Sequence, residues 1–132
     1  MIIEPGYFGE IGYKTISNRE GGLNTTFKHI EVKAYDWNGD DLVCVDAALC
    51  LVSEKLKKAL NLKGITEEDF FPVSLDLSEY FGKKNKVPCF FMLNFKPVSK
   101  LYSYKNQSSI VFDNSIEDIL KEFTLNHCKI ER

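Results

Sequence analysis

The stretch "FKHIEVKAYDWNGDDLVCV" (residues 27–45) sets an alternating run, an acidic knot and an apolar run end to end. Ile30, Val32 and Ala34 fall on one side of the first part, and His29, Glu31 and Lys33 on the other. That period of two predicts a half-buried strand. Asn38-Gly39 follows, a dipeptide in which both residues tolerate the positive φ of a tight hairpin turn. Residues 41–45, "DLVCV", then read as the returning strand. A calcium loop is the competing reading, with Asp36, Asn38 and Asp40 as its first ligands. Its sixth position requires glycine and holds Asp41, its twelfth requires glutamate and holds Ala47, and its flanks are not helical. The stretch is therefore read as a hairpin tip that offers Asp36, Trp37, Asp40 and Asp41 near the turn.

On the N-terminal side, residues 5–25 are rich in glycine and polar groups and read as loop with one short strand. Gly6, Gly9 and Gly12 are taken as turn glycines, because no strand–loop–helix pattern or lysine-serine pair makes them a phosphate cradle. On the C-terminal side, "SEKLKKALNLKG" (53–64) predicts a helix with Ser53 as N-cap, a stripe of Leu56, Ala59, Leu60 and Leu62, and Gly64 at its end. Val45, Leu49, Val52 and Leu56 keep helical spacing too, so periodicity leaves its start open. "FFPVSLDL" (70–77) alternates at Phe71, Val73, Leu75 and Leu77, with Pro72 marking an edge or a strand start. "VPCFFMLNF" (87–95) is apolar on both faces, as a central strand is. Two strands follow around "NQS". A last helix spans "SIEDILKEF" (115–123), with Ser115 and Asp118 as a capping box, and "FTLNHCKI" alternates like a strand. The expectation is one α+β domain over residues 1–132, with a mostly antiparallel sheet and two principal helices.

With 132 residues, 44% of them hydrophobic, the chain is long enough to bury a core. The opening "MIIEPGYFGEIG" has no basic region before its apolar residues, so no secretory signal is expected. The apolar run "LVCVDAALCLV" (42–52) contains Asp46 and falls far short of the roughly 20 residues of a membrane helix. A cytoplasmic protein without membrane contact is expected. Cys44, Cys50 and Cys89 lie within apolar patterns and read, with Cys128, as reduced packing residues. His29 and His127 have no partner at metal-ligand spacing, so neither a metal nor a cofactor is expected.

Charge is blocked along the chain. Residues 34–53 hold Asp36, Asp40, Asp41 and Asp46 with no base, and residues 64–82 hold Glu67, Glu68, Asp69, Asp76 and Glu79 with none. Residues 83–112 hold Lys83, Lys84, Lys86, Lys96, Lys100 and Lys105 and no acid. Such blocks become faces of opposite sign or neutralise each other across the fold.

In this order, "CLVSEKLKKAL", "GITEEDFFPVSLDL", "CFFMLNFKPVSKLY", "SSIVFD" and "ILKEFTL" resemble a group of bacterial immunity proteins encoded beside polymorphic toxins, including those of contact-dependent growth inhibition. The resemblance covers about residues 41–125. It departs at the end, where members often continue with a second strand-helix unit, and residues 1–40 match nothing in the pattern. The pattern brings no catalytic residue: Ser53, with no base beside it, reads as a helix cap.

The resemblance implies a protein that binds one cognate toxin and neutralises it by occluding its active site. If the toxin is a nuclease, its site is basic and an acidic surface is drawn to it. The expected contact residues are Asp36, Trp37, Asp40 and Asp41 at the hairpin tip, with Glu67, Glu68, Asp69 and Asp113 as a second group. Two other classes are carried beside it. One is a nucleic-acid module that uses the lysines of 83–105 with Phe90, Tyr102 and Tyr104. The other is a small enzyme, for which the chain offers only scattered pairs such as His127 with Cys128. Oligomeric state is not readable.

Overall fold

The computed structural model describes residues 1–18, 20–46 and 49–132. Along the chain come β1 (Ile2–Glu4), β2 (Gly6–Ile11), β3 (Ile16–Ser17), β4 (Phe27–His29), β5 (Glu31–Ala34), β6 (Leu42–Val45) and β7 (Leu49–Ser53). Then follow α1 (Glu54–Leu62), β8 (Phe70–Pro72), β9 (Ser74–Asp76), β10 (Phe90–Leu93), β11 (Tyr102–Asn106), β12 (Ser109–Phe112), α2 (Asn114–Leu120) and β13 (Lys129–Glu131). One sheet has seven strands in the order β8-β10-β7-β6-β2-β5-β9; a second has the order β11-β12-β1-β13; β3 and β4 form a short ribbon. Among the described residues most pairings are antiparallel, and the two parallel ones are β2 with β6 and β5 with β9. The α+β class with two helices is what the sequence leads one to expect.

The seven-stranded sheet cannot be flat. Its two edges, β8 and β9, are consecutive in the chain and separated only by Val73. Seven strands laid side by side would put those edges roughly 29 Å apart, whereas residues 72 and 74 can be no more than about 7 Å apart. The sheet therefore curls until residues 70–76, one extended stretch, close it into a barrel. The rings of Phe8 on β2 and Phe90 on β10 confirm it: their strands are three places apart, yet the ring centroids are 4.9 Å apart. Phe8, Val43, Leu51, Phe90 and Met92 are all buried in this core.

Strands β6 and β7 are buried at every residue. Their outer side is covered by the second sheet and the C-terminal segment. The Tyr104 hydroxyl reaches the Leu93 carbonyl at 2.5 Å, Cys50 Sγ meets the Gln107 carbonyl and Cys128 Sγ the Leu42 carbonyl. Helix α1 begins where the strand propensity of "LCLV" ends. Ser53 adopts extended geometry and its side chain accepts from the Leu56 N–H, while Leu56 and Leu60 face the core. The chain leaves through Gly64 at φ 106, a left-handed conformation that favours glycine.

Several expectations need correction. The 27–45 stretch is not a hairpin: β5 and β6 do not pair, because β2 lies between them, antiparallel to β5 and parallel to β6. Asn38 does not share the positive φ of Gly39, and its side-chain oxygen accepts instead from the Asp40 N–H. Gly6 and Gly9 are strand residues, not turns; a methyl group at Gly9 would run into the Lys33 carbonyl oxygen. The stretch 49–53 is strand, so the helix does not begin earlier. Leu62 is exposed rather than part of the buried stripe, and Cys89 is exposed rather than packed. Helix α2 is capped by Asp113, not by a Ser115–Asp118 box. The strand expected in "FTLNHCKI" is confined to β13, which pairs with β1. Ala47, the twelfth position of the rejected calcium loop, lies outside the described residues.

Candidate functional site

The acidic knot of 35–42 does not form an acidic surface. Asp40 is completely buried. Its carboxylate accepts from the backbone N–H groups of Asn126 at 3.0 Å and His127 at 2.8 Å. Asp41, also buried, accepts from the Ser53 hydroxyl at 2.7 Å and the Thr124 N–H at 3.0 Å, while its own N–H donates to the Thr124 carbonyl. Two adjacent carboxylates thus strap residues 124–127 across the barrel. The Ser53 hydroxyl completes the network by capping α1. Buried carboxylates are tolerable only with such donors. Trp37 is half-buried: its ring lies 6.3 Å from that of Phe90, and its indole N–H donates to the Asp40 carbonyl. Of the hairpin-tip group, only Asp36 is exposed.

The second group divides the same way. Asp69 is completely buried and accepts from the N–H groups of Val98 at 2.6 Å and Ser99 at 3.1 Å, fixing the loop after β10. Glu67 and Glu68 are exposed, and Glu67 pairs with Lys57 at 2.6 Å. Asp113 is exposed but serves as the cap of α2. The Ser115 hydroxyl and N–H, with the N-terminal ammonium adding less, hold its carboxyl below the usual range. Asp36, Glu67, Glu68 and Asp113 therefore lie at the surface, Glu67 paired with Lys57 and Asp113 with Ser115; Asp40, Asp41 and Asp69 do not. The sequence signal, a run of acids, is the same for a surface patch and for loop clamps.

The lysines of 83–105 are all exposed, yet the aromatics interleaved with them are not. Phe90, Tyr102 and Tyr104 are buried. The Tyr102 and Tyr104 hydroxyls donate to the carbonyls of Asn94 and Leu93. No base can stack on them, which removes the single-strand platform. His127 and Cys128 do meet around one group, Asp40: His127 Nδ1 is 3.3 Å and Cys128 Sγ 3.7 Å from its oxygens. Burial first, then the charge of Asp40, pushes the thiol up to about 12. A thiol held neutral in this way is a weak hydrogen-bond donor rather than a nucleophile.

One surface was not anticipated. The outer face of β2, β5 and β9 bears a transverse row of Glu10, Lys33 and Asp76, set by the registers Glu10↔Lys33 and Lys33↔Asp76. Lys33 also pairs with Glu79. The Tyr35 hydroxyl donates to Glu10 at 2.5 Å, which raises it to about 12. Tyr7 is 59% exposed, and Asp46 and Glu10 lie close enough to raise its hydroxyl after the effect of burial. Asp46 itself accepts from the Ile11 N–H at 2.7 Å. At the far end the Phe81 N–H donates to the Tyr35 carbonyl, and the Phe81 ring stands 82% exposed. The sequence hid this face because β2 reads as a glycine-rich loop. A register shift between Tyr7 and Gly9 also breaks the alternation that would have shown Tyr7 and Glu10 pointing outward.

Among the described residues no three His, Cys, Asp or Glu side chains gather as a metal-holding group, and no helix is long and apolar enough to cross a membrane. No family model, curated protein or solved structure matches the chain.

Proposed function

We propose that this domain is an immunity-type protein of the bacterial cytoplasm that binds one cognate toxin and neutralises it by covering the toxin's working surface. The observation that carries the reading is where the resembling segments lie. "VSEKL", "FFPV" and "MLN" are separated in the chain, but β7, β10 and β8 are neighbours in the barrel. Val52, Phe91 and Pro72 form one cross-strand row, and Leu51, Met92 and Phe71 form the next. Ser53 then starts α1. Asn94 ties β10 back to the segment before β8, through its N–H to the Asp69 carbonyl and its side-chain amide to the Glu68 carbonyl. The resembling segments thus come together as one structural unit, a scaffold whose residues are occupied with folding. Recognition is left to the surfaces around it.

The scaffold suits inhibition by binding. A barrel closed through residues 70–76, with loops held by Asp40, Asp41 and Asp69, has little left to order when a partner arrives, and binding cost falls accordingly. The test is co-expression with the C-terminal region of the product of the adjacent upstream reading frame. Growth arrest by that region alone and recovery with this protein are expected. Arrest that persists despite soluble, folded protein would overturn the reading.

A further inference from the structure

The geometry points to the uncovered outer face of β2, β5 and β9 as the docking surface, and to an arginine- and lysine-rich protein surface as its occupant. The identity of that partner as a toxin rests on the reading above; the location and chemistry of the face do not. Part of the barrel wall is layered: β6 and β7 are buried on both sides, under the second sheet and the C-terminal strap. Among the described residues the β2–β5–β9 wall carries no such layer over Tyr7, Glu10, Lys33, Tyr35 and Asp76, which are exposed or half-exposed; only at its end is an outward side chain, Glu31, buried, where it packs beside Gly12. An unlayered sheet face that carries tyrosines is unlike an ordinary solvated wall. Tyrosine supplies contact area with few rotatable bonds and is enriched where proteins meet.

Charge selects the partner. Glu10, Asp46, Asp76 and Glu79 face this surface, against Lys33 and, beside Asp76, Lys14. The excess is acidic, so phosphate-bearing polymers are repelled and basic protein surfaces are drawn in. The groups are also held in place before binding: Tyr35 fixes Glu10, the Ile11 N–H fixes Asp46, and the Ser78 N–H fixes Asp76 at 3.0 Å. Pre-positioned carboxylates can accept paired guanidinium N–H groups without first being ordered.

Two measurements test this separately from the toxin reading. Nona-arginine is titrated into the isotope-labelled protein at low salt, and amide shifts are mapped. Shifts centred on β2, β5 and β9, and lost in E10Q/E79Q, are expected. Shifts centred on Glu67, Glu68 and Asp118, or spread without focus, would overturn the inference even if toxin protection holds. Affinity for the adjacent reading frame's toxic domain is then compared among Y7A, E10Q/E79Q and a D36N/E67Q/E68Q control. Y7A is expected to weaken binding tenfold or more. E10Q/E79Q should slow association severalfold and flatten its salt dependence, and the control should stay within about twofold. A strong loss in the control alone would overturn the inference and leave the toxin reading intact. Peptide shifts at this face without protection from the toxin would do the reverse.

Discussion

Replacing Asp41 with alanine tests whether the acidic knot is a clamp or a contact surface. The change removes the acceptor for the Ser53 hydroxyl at 2.7 Å and for the Thr124 N–H at 3.0 Å, in a residue 4% exposed. Hydrogen bonds to a charged group contribute about 1.5–3 kcal/mol each, and a buried donor left unmade costs about 1–3 kcal/mol. Removing the carboxylate also relieves its own desolvation, so a net loss of roughly 2–4 kcal/mol is expected. That is a large share of a typical total of about 5–15 kcal/mol. For a slope of about 1–3 kcal/mol per molar urea, the midpoint should fall by roughly 1–2 M with the slope unchanged. S53A removes the same bond and the α1 cap, so D41A, S53A and the double variant form a cycle. A coupling of about 1–2 kcal/mol is expected, within the range for residues of one network. A D41A midpoint within error of wild type, or a coupling near zero, would refute the clamp.

Three further outcomes follow from the structure. Gly9→Ala places a methyl against the Lys33 carbonyl of the neighbouring strand; a loss of about 3 kcal/mol or more by urea unfolding is expected, and a neutral result would mean β2 and β5 are not so close. Under native conditions a thiol reagent should label Cys89 fast and Cys44 and Cys50 only on unfolding, because the first is exposed and the others buried; equal labelling rates would contradict the packed core. Tyr35 stays protonated in the folded chain to about 12, chiefly through Glu10. Its stabilising contribution is therefore full below the ordinary tyrosine value of about 10 and lost as pH rises through about 12. In E10Q the alkaline fall in stability should be shallower, read as urea midpoints across pH 9 to 12, and identical slopes would exclude the Tyr35–Glu10 bond.

The parts of this fold written locally were legible. Ser53 followed by a leucine stripe gives α1, and "YSYKNQSSIVF" gives a hairpin turned by Asn106, whose side chain accepts from the Ser108 N–H. Alternation at Ile30, just before β5, and at Val32 and Ala34 within it marks a buried side, but Glu31 on the opposite side is buried as well. What alternation cannot carry is the identity of a strand's neighbour. The Asn-Gly turn suggested that β5 and β6 pair, but β2, from some 25 residues earlier in the chain, inserts between them. "FFPVSLDL" likewise reads as one strand and is one extended stretch, yet it serves two edges of a sheet. At the candidate site the limit is different. Composition cannot tell a carboxylate that faces water from one that holds backbone N–H groups. Asp40, Asp41 and Asp69 therefore read as surface in the sequence, where the bare face of β2, β5 and β9 has no acidic run to mark it.

The single-residue step at Val73 also bears on how this chain behaves in a crowded cell. An unpaired strand edge is a template on which a second chain can build. By running from one margin of the sheet to the other, residues 70–76 leave the barrel without a long free margin for a stray strand to extend. The second sheet keeps two free margins, β11 and β13, and each carries an exposed lysine, Lys105 and Lys129. Lysine at such a position discourages stacking by an identical copy, whose like charge would be brought alongside. Lengthening the connection at Val73 would open the barrel seam and leave the chain prone to exchange strands or aggregate.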